Sequence, residues 1–329
     1  MSATQPYIIY SRFNVMNNIY DFTAENMNKA ASVIKRGGLV AFPTETVYGL
    51  GADVYNADAV AKIFAAKQRP HFDPLISHIA DIDMLKDYAA TDSRVFALAE
   101  RFWPGPLTFV LRRIDENPSI DLACSGLRTI TVRMPNHPIA LELIRRSAVP
   151  IVAPSANKYQ SVSPTTAQHV AEGLGDKVDM ILDGGACKVG VESTILDLTD
   201  RHAVILRAGG TAKEDIENFL GEKISFVQAI ATDTPTAPGQ MRRHYAPKNH
   251  LRINVTKPDI DEFFIGFGSC NGDLNLSPSA NLNEAAANLF AFLRIADSKA
   301  KYGKIAVAPI PQTGLGLAIN DRLQRASAL

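Results

Sequence analysis

Three cations in the first half of the sequence have the type and spacing of an anion-binding site. Lys67 and Arg69 belong to the stretch KQRPHFDPL, whose two prolines restrict the backbone beside both side chains. Arg133 interrupts the apolar pattern of TITVRMP, so we expect it to face a ligand or a buried carboxylate. Arg binds phosphate or carboxylate through forked hydrogen bonds, and Lys acts as a point charge. A polyphosphate would suit Lys67 and Arg69, although cations are also favoured at any solvated helix C-terminus.

A second candidate segment is PTETVYGLGAD, where hydroxyl groups and glycines follow a buried strand pattern. Thr44, Glu45 and Thr46 come at the carboxyl end of that strand, where ligands bind in open α/β sheets. Gly49 and Gly51 allow another backbone or a ligand to approach closely. The alternative is a polar turn between two strands.

The stretch VAPSANKYQSVSPTT adds polar side chains after another predicted strand. Ser155 and Asn157 follow the strand directly. Ser163 and Pro164 predict the start of a helix with proline at its first position, and a helix N-terminus binds anions. Ser163 would then be the helix N-cap, which is compatible with a place in the site.

Glycine-rich turns in DGGACKVGVESTILD and ILRAGG stand beside Ser193 and Arg207. His78 lies within an apolar strand pattern and fits a buried core position as well as a site. Taken together, these segments describe a cleft lined with hydroxyls, backbone amides and cations, without an evident protein nucleophile. Such a cleft suits a reaction between two bound small molecules.

Helix and strand patterns alternate over residues 23–220 and would position these segments. Apolar residues at 3–4 spacing predict helices, the first capped by Thr23 and the second by Asn56, while short apolar runs predict buried strands. Further helices are predicted from Ser93, His137 and Pro164. This alternation predicts an α/β fold with a large twisted sheet.

Composition changes near residue 226 and divides the chain into three parts. Residues 1–225 form the predicted α/β domain, and residues 226–249 form a proline-containing linker that is unusually rich in Arg, His and Tyr. Residues 250–329 contain two strand patterns and two helix patterns, including an amphipathic helix over 281–299. We expect a smaller second α/β domain there.

Bulk composition excludes several classes of protein. The formal net charge is zero, from 34 basic and 34 acidic residues, which disfavours a general nucleic-acid binder. The sequence has no membrane-length apolar run, and its N-terminus lacks the pattern of a signal peptide. Three widely spaced cysteines fit a cytoplasmic protein with reduced thiols. The motifs GxxxxGK[ST], GxGxxG, GxSxG and HExxH are absent, which removes support for P-loop, dinucleotide-binding, serine-hydrolase and zinc-protease functions.

The motifs resemble the long, two-domain form of the YrdC-like threonylcarbamoyl-AMP synthases over nearly the whole chain. Those that occur in the order of that family are PTETVYGLG, KxRP…PL…H, VRMP, APSAN, SPT, ESTILD, Arg-Ala-Gly-Gly and HYAP. The resemblance implies a YrdC-like twisted mixed sheet with helices, followed by a smaller Rossmann-like α/β domain.

The resemblance also implies a role for individual residues. Lys67, Arg69 and Arg133 would carry the catalysis. The residues implied to hold L-threonine are Thr44, His78, Arg133, Ala153 and Ser193. The residues implied to hold ATP are Lys67, Arg69, Asp73, Thr129, Ser155, Asn157, Ser163, Arg207 and Tyr245. No protein side chain would ligate a metal, because Mg²⁺ would be held through the ATP phosphates.

The implied reaction joins L-threonine, bicarbonate and ATP into L-threonylcarbamoyl-adenylate and diphosphate. A tRNA threonylcarbamoyl transferase would consume the adenylate to modify the adenosine next to the anticodon, with at most a weak contact between this chain and tRNA. Because the carbamate and the adenylate decompose in water, we expect the linker around His244 and Tyr245 to close over the nucleotide.

The sequence departs from the family pattern at three places: Asp73 stands where Asn is common, SANKYQ replaces SANxSG, and Arg-Ala-Gly replaces Arg-Pro-Gly.

Two other functions are compatible with a YrdC-like domain. One is an RNA-binding platform, which a salt-dependent RNA shift without ATP turnover would indicate. The other is carbamoyl-adenylate formation, although the acylphosphatase and zinc-finger segments expected with it are absent here.

Overall fold

The computed structural model describes residues 18–86, 88–114, 117–227 and 235–328 of the chain. Its strands are β1 (Ile19–Asp21), β2 (Val40–Phe42), β3 (Gly49–Asp53), β4 (Ile76–His78), β5 (Leu107–Arg112), β6 (Thr129–Arg133), β7 (Ile151–Val152), β8 (Met180–Asp183), β9 (Thr194–Asp197), β10 (Val204–Arg207), β11 (Ser225–Phe226), β12 (His250–Arg252), β13 (Phe263–Gly266), β14 (Leu274–Asn275) and β15 (Lys304–Val307). Its helices are α1 (Ala24–Lys35), α2 (Ala57–Lys67), α3 (Ser93–Phe102), α4 (Pro118–Ala123), α5 (Pro138–Ser147), α6 (Ala167–Leu174), α7 (Lys213–Leu220), α8 (Leu282–Lys299) and α9 (Gly316–Ala326). The N-terminal stretch without a signal-peptide pattern and residues 228–234 of the predicted linker lie outside the described residues.

Among the described residues, eleven strands form one sheet in the order β1-β8-β2-β3-β7-β4-β6-β5-β9-β10-β11. The sheet contains parallel pairs, such as β4 with β6 and β5 with β9, and antiparallel pairs, such as β2 with β3 and β5 with β6. The twisted mixed sheet with helices that the sequence predicted is therefore confirmed.

Helices cover both faces of this sheet because its strands are apolar on both sides. Val40 and Phe42 of β2 pack with α1 and α5, whereas Ala41 joins the larger cluster that includes α2, α3 and α6. Side chains alternate along a strand, so a short strand such as β2 contributes to both cores.

Local capping sets the helix boundaries as expected. The Thr23 hydroxyl accepts a hydrogen bond from Asn26 N, and the Asn56 side chain accepts one from Ala59 N. At its other end α2 stops at Gln68, which has the left-handed backbone conformation with φ of 56°. This turn directs the chain from Lys67 into Arg69 and the proline-containing loop.

The glycine-containing half of PTETVYGLGAD is a strand, not a loop. Gly49–Asp53 forms β3, which pairs with β2 on one side and with β7 on the other. A Cβ atom at Gly51 would lie 2.7 Å from the ring of Phe42 and 2.9 Å from Ile151. The glycine thus serves strand packing, and residues 43–48 form the connection between the two strands.

The helix start predicted at Ser163 and Pro164 is wrong. Helix α6 begins at Ala167, and its N-cap is Thr166, whose hydroxyl accepts a hydrogen bond from His169 N. Thr166 is a better cap than Ser163 because it stands immediately before the apolar periodicity of the helix. The Ser163 hydroxyl instead donates to Glu192 Oε1 at 2.6 Å, so Ser163 and Pro164 do not form an anion-binding helix terminus.

Four further strands of the described chain form a second sheet in the order β12-β15-β13-β14, with every pair parallel. Helix α8 packs on β13 and on α9. This agrees with the small Rossmann-like α/β unit expected at the C-terminus. Its core also includes Val47, Val162, Val191 and Ala208 of the first unit, so the second unit is packed against the first along the segments that carry the site motifs. In the part of the chain that the structure describes, no helix is long and apolar enough to cross a membrane.

Candidate active site

The segments singled out in the sequence meet at one cavity, which encloses about 550 Å³ of empty space including its opening to solvent. It lies beside the β2–β3 connection, the ends of β4 and β6, and the chain that follows β7. Its charged lining residues are Arg69, Arg133, Arg207 and Glu192. The other lining residues are Thr44, Thr46, Val47, Gly49, Ile76, His78, Ala153, Pro154, Ser155, Ser193, Pro238, Gly239, His244 and Tyr245.

Arg133, at the end of β6, is held by three groups from two segments. Its Nη1 donates to Thr46 Oγ1 at 2.9 Å, and its Nε donates to the Gly105 carbonyl at 3.2 Å. Its Nη2 lies 2.6 Å from Glu45 Oε1 as an ion pair that is not aligned as a hydrogen bond. Both side chains are less than a tenth exposed, so the guanidinium is oriented before any ligand binds.

His78, at the end of the neighbouring strand β4, is neutral. Burial, together with the charge of Arg133, lowers the pKa of His78 to about 3. One ring nitrogen, Nδ1, lies 3.2 Å from the carbonyl of Ile76. The imidazole can therefore offer hydrogen bonds in the cavity without adding charge.

Arg69 is fixed on its own proline-containing loop. Its Nε donates to the Asp73 carbonyl at 3.1 Å, its Nη2 donates to the Pro74 carbonyl at 2.8 Å, and Nη2 also lies 2.8 Å from the Asp73 carboxylate. Burial raises the pKa of Asp73, against the lowering effect of Arg69, Lys67 and Arg207. Asp73 thus forms an ion pair with Arg69, and this pairing explains how a buried carboxylate is tolerated at this position.

Lys67 reaches the site through the chain that follows β7. Its Nζ donates to the carbonyls of Ser155 at 2.5 Å and Asn157 at 2.6 Å. Burial, followed by the charge of Arg69, holds the pKa of Lys67 well below its usual value. The Asn157 amide donates to the carbonyls of Lys158 and Ser161, so these contacts shape the loop in which SANKYQ departs from the family pattern.

Ser193 and Arg207 form a second polar group in the cavity wall. Arg207 donates from Nη2 to Ser193 Oγ at 3.1 Å and to the Ser193 carbonyl at 2.9 Å, and Thr108 Oγ1 lies 2.7 Å from the same hydroxyl. A Cβ atom at Gly209 would lie 2.2 Å from the Ser193 carbonyl carbon. The glycine of the Arg-Ala-Gly-Gly turn therefore lets that turn press against Ser193.

The described end of the linker covers one side of the cavity. Tyr245 has the left-handed conformation with φ of 61°, and its ring stacks on Phe290 of α8 at 5.6 Å between centroids. Burial, reinforced by four surrounding cations, holds the pKa of His244 well below its usual value. Ala246 N donates to the Gln160 carbonyl at 2.9 Å, which joins the linker to the loop after β7.

The structure brings most of the predicted site residues together. Lining the cavity are Thr44, Arg69, His78, Arg133, Ala153, Ser155, Ser193, Arg207 and Tyr245. Lys67, Asp73, Asn157 and Ser163 bond to lining residues or to the loops that carry them. Thr129 lies at the opposite end of β6 from Arg133, four residues or about 13 Å along the strand. Its predicted contact with ATP remains a prediction.

Two charged residues of this site were missed from the sequence. Glu192 lines the cavity, and its partner Arg322 comes from α9 in the C-terminal unit. ESTILD contained Glu192 and could have indicated it, but Arg322 carries no local signal. Among the described residues, no group of three or more His, Cys, Asp or Glu side chains is placed to hold a metal ion.

The fold and cavity define an α/β protein with a cation-lined site, suited to anionic small molecules, between a mixed sheet and a covering linker. Two family models account for almost the entire chain: that of Sua5, YciO and YrdC, described as telomere recombination, matches residues 32–209, and that of the threonylcarbamoyl-AMP synthase C-terminal domain matches residues 211–328. The chain belongs to the threonylcarbamoyl-AMP synthase family.

Full-length relatives support this assignment. The threonylcarbamoyl-AMP synthase of Pyrococcus abyssi is 43% identical over 91% of this chain and 93% of its own length. The Bacillus subtilis threonylcarbamoyl-AMP synthase is 40% identical over 91% and 92%. The crystal structure of P. abyssi Sua5 complexed with L-threonine matches with a TM-score of 0.87 at 40% identity, over 94% of this chain and 97% of that one.

Proposed function

We propose that the chain makes L-threonylcarbamoyl-AMP and diphosphate from L-threonine, bicarbonate and ATP. The observation that carries this proposal is the convergence of Arg69, Arg133 and Arg207 with serine and threonine hydroxyls in one cavity. Three guanidinium groups suit a triphosphate together with a carboxylate. The L-threonine complex of the P. abyssi relative supports the amino-acid half of the proposal.

L-threonine would bind at the Arg133 side of the cavity. The Arg133 guanidinium, held by Thr46 and Gly105, would take the threonine carboxylate. The neutral His78 and the hydroxyl of Ser193 would offer hydrogen bonds to the polar groups of the amino acid. Thr44 and Ala153 would complete the walls around it.

ATP would bind at the Arg69 and Arg207 side, under the linker. Both arginines would face the phosphates, with Ser155 and Tyr245 beside them. Lys67, Asp73, Asn157 and Ser163 would act by holding these residues and their loops. Mg²⁺ would arrive with ATP and neutralise phosphate charge; the cationic lining fits phosphate oxygens better than a bare ion, so the phosphates would carry the metal.

The reaction would need alignment of bound reactants and no covalent enzyme intermediate. The threonine amine attacks bicarbonate, releasing water and leaving a carbamate. A carbamate oxygen then attacks the α-phosphorus of ATP, and the bond to diphosphate breaks. Alignment of bound reactants can contribute about 7–11 kcal/mol at best, and the arginines would stabilise charge that develops on the phosphates. The adenylate would then pass to a tRNA threonylcarbamoyl transferase.

Incubation of the protein with MgATP, labelled bicarbonate and L-threonine tests this function. Label should appear in an adenylate, with equimolar diphosphate, only when L-threonine is present. Label in a threonine-independent adenylate would instead favour carbamoyl transfer. A salt-dependent RNA shift without diphosphate release would favour the RNA-binding alternative, which the zero net charge of the chain disfavours.

A further inference from the structure

Arg322 is a fully buried arginine that α9 of the C-terminal unit inserts against the cavity wall. Its Nε donates to Glu192 Oε2 at 2.8 Å, and its Nη1 donates to the Ala208 carbonyl at 2.9 Å and to Asp321 Oδ2 at 2.7 Å. Glu192 is a cavity residue, and Ala208 follows Arg207 directly. Arg322 therefore connects the C-terminal unit to both flanks of the proposed nucleotide side.

Glu192 places a negative charge in a cavity that is otherwise cationic. Burial raises the pKa of Glu192. Arg322 and Arg207, together with the Ser163 hydroxyl, outweigh this effect and bring the pKa below its usual value, so the carboxylate is ionised. Its Oε1 accepts from Ser163 and its Oε2 accepts from Arg322. Arg322 thus places a positive charge directly against this carboxylate at the cavity wall.

The same guanidinium also orients the linker. Its central carbon lies 5.1 Å from the ring centroid of Tyr245, and the same ring stacks on Phe290. One helical turn onward, Arg325 donates to the carbonyl of Met241 and accepts from His244 N through its own carbonyl. Helix α9 thus holds the linker segment that covers the cavity.

We propose that Arg322 is a positioning residue for the nucleotide, which acts by neutralising Glu192 and by holding Tyr245 over the cavity. This inference rests on the proposed function. It assigns the C-terminal unit a defined task, namely setting the affinity for ATP. Arg322 contacts Glu192 and Tyr245 directly and Ser163 through Glu192, and these residues belong to the proposed nucleotide side. The affinity for L-threonine should therefore depend on Arg322 much less.

Loss of the positive charge should weaken ATP binding specifically. In Arg322→Met, the Glu192 carboxylate would face the triphosphate and would compete with it for Arg207. Loss of one buried charge-assisted contact corresponds to about a 10- to 100-fold change in an equilibrium. We expect the KM and the Kd for MgATP to rise by that factor and the KM for L-threonine to change less than about 3-fold.

A second substitution separates this mechanism from simple loss of packing. In Arg322→Met with Glu192→Gln the repelling charge is gone, so the Kd for MgATP should return to within about 5-fold of wild type. The matched control is Arg252→Met, which breaks an arginine–glutamate pair of the C-terminal sheet. Nucleotide binding by titration calorimetry and diphosphate release at varied ATP and L-threonine provide the readouts, with thermal unfolding to confirm that each variant is folded.

Equal rises in the two KM values, or failure of Glu192→Gln to restore ATP affinity, would overturn the proposal. Should Arg322→Met fail to fold, Arg322→Lys provides the test, because it keeps the charge but loses the fork and should raise the Kd by less than about 10-fold. A wild-type protein that binds MgATP but makes no adenylate would refute the proposed function alone, since the Kd comparison would still decide the role of Arg322.

Discussion

Replacement of Arg133 should affect folding stability and substrate affinity through two different contacts. In the structure, Arg133 forms an ion pair with Glu45 at 2.6 Å, and both side chains are buried. Arg133→Met removes the guanidinium but leaves the Glu45 carboxylate in place. Stability should fall because the Glu45 carboxylate loses its ion-pair partner. Affinity for L-threonine should fall because the threonine carboxylate loses the guanidinium that is proposed to bind it.

The size of both effects follows from the burial of the pair. Removing one partner of a buried ion pair costs about 3–5 kcal/mol. For a unit of about 150–250 residues each kcal/mol shifts the Tm by about 2–4 °C, so a drop of about 6–20 °C is expected. Loss of a charge-assisted hydrogen bond costs about 1.5–3 kcal/mol, which corresponds to about a 10- to 150-fold rise in the KM for L-threonine.

Addition of Glu45→Gln separates these effects. The double variant no longer buries an unpaired charge, so most of the lost Tm should return, whereas the raised KM for L-threonine should remain. Diphosphate release is measured against L-threonine at saturating MgATP, and thermal unfolding is followed in parallel. Arg112→Met is the control, because its ion pair with Asp200 is exposed and worth less than about 1 kcal/mol.

Recovery of the KM for L-threonine in the double variant would refute the reasoning. It would mean that Arg133 acts only by satisfying Glu45 and that the threonine carboxylate binds elsewhere. The expectation for this pair is thus the reverse of that for Arg322 and Glu192, where removal of the carboxylate restores affinity because the arginine acts through it.

Three further predictions concern other parts of the cavity. Lys67→Met should raise the Kd for MgATP about 10- to 100-fold, because the loop that places Ser155 beside the proposed nucleotide loses the donor to two of its carbonyls; calorimetry checks this, and an unchanged Kd would contradict it. The pKa of His78 is about 3 in the folded chain and about 6.5 when unfolded, so stability is complete above about pH 6.5 and is lost as the pH falls toward 3. The wild type should therefore lose about 2 kcal/mol of its free energy of unfolding between about pH 7 and 5 through His78, and His78→Gln should abolish this part of the loss. Urea unfolding at both pH values measures it, and an equal fall in the free energy of unfolding for variant and wild type would contradict the prediction. Tyr245→Phe should keep the stack on Phe290 and the stability, whereas Tyr245→Ala should cost about 3–5 kcal/mol; equal Tm values for the two would exclude a packing role for the ring.

Features that depend on neighbouring residues could be read from the sequence. The caps at Thr23 and Asn56 and the helix start at Ser93 agree with the structure, because a cap and an apolar stripe are set by residues within about four positions. The prediction failed at Ser163, where a proline after a serine imitated a helix start. Thr166 was the true cap, since only there does the apolar pattern of α6 begin.

The polar motifs were correctly predicted to converge, whereas the protein contacts that hold each side chain in place could not be predicted. The Asn157 amide, for example, donates to carbonyls of its own loop, and its contact with the nucleotide remains a prediction. Asp73 was noted as a departure from the usual Asn, and the structure shows that its carboxylate pairs with Arg69. Which polar group faces the cavity and which holds a neighbour depends on backbone directions in short loops, and these directions are set by packing that sequence spacing does not specify.

The sequence by itself determined the alternation of helices and strands and the segments that carry cations and hydroxyl groups. It also determined the resemblance to a family of enzymes, which connects these segments with one reaction. The tertiary structure alone decided that Arg322 reaches Glu192 across 130 positions and that the linker is held by α9. Such contacts arise where two units of the chain pack against each other. Which residues meet there depends on the shapes of the two surfaces and on the cost of leaving a buried charge unpaired. Neither factor produces a periodic pattern in the sequence.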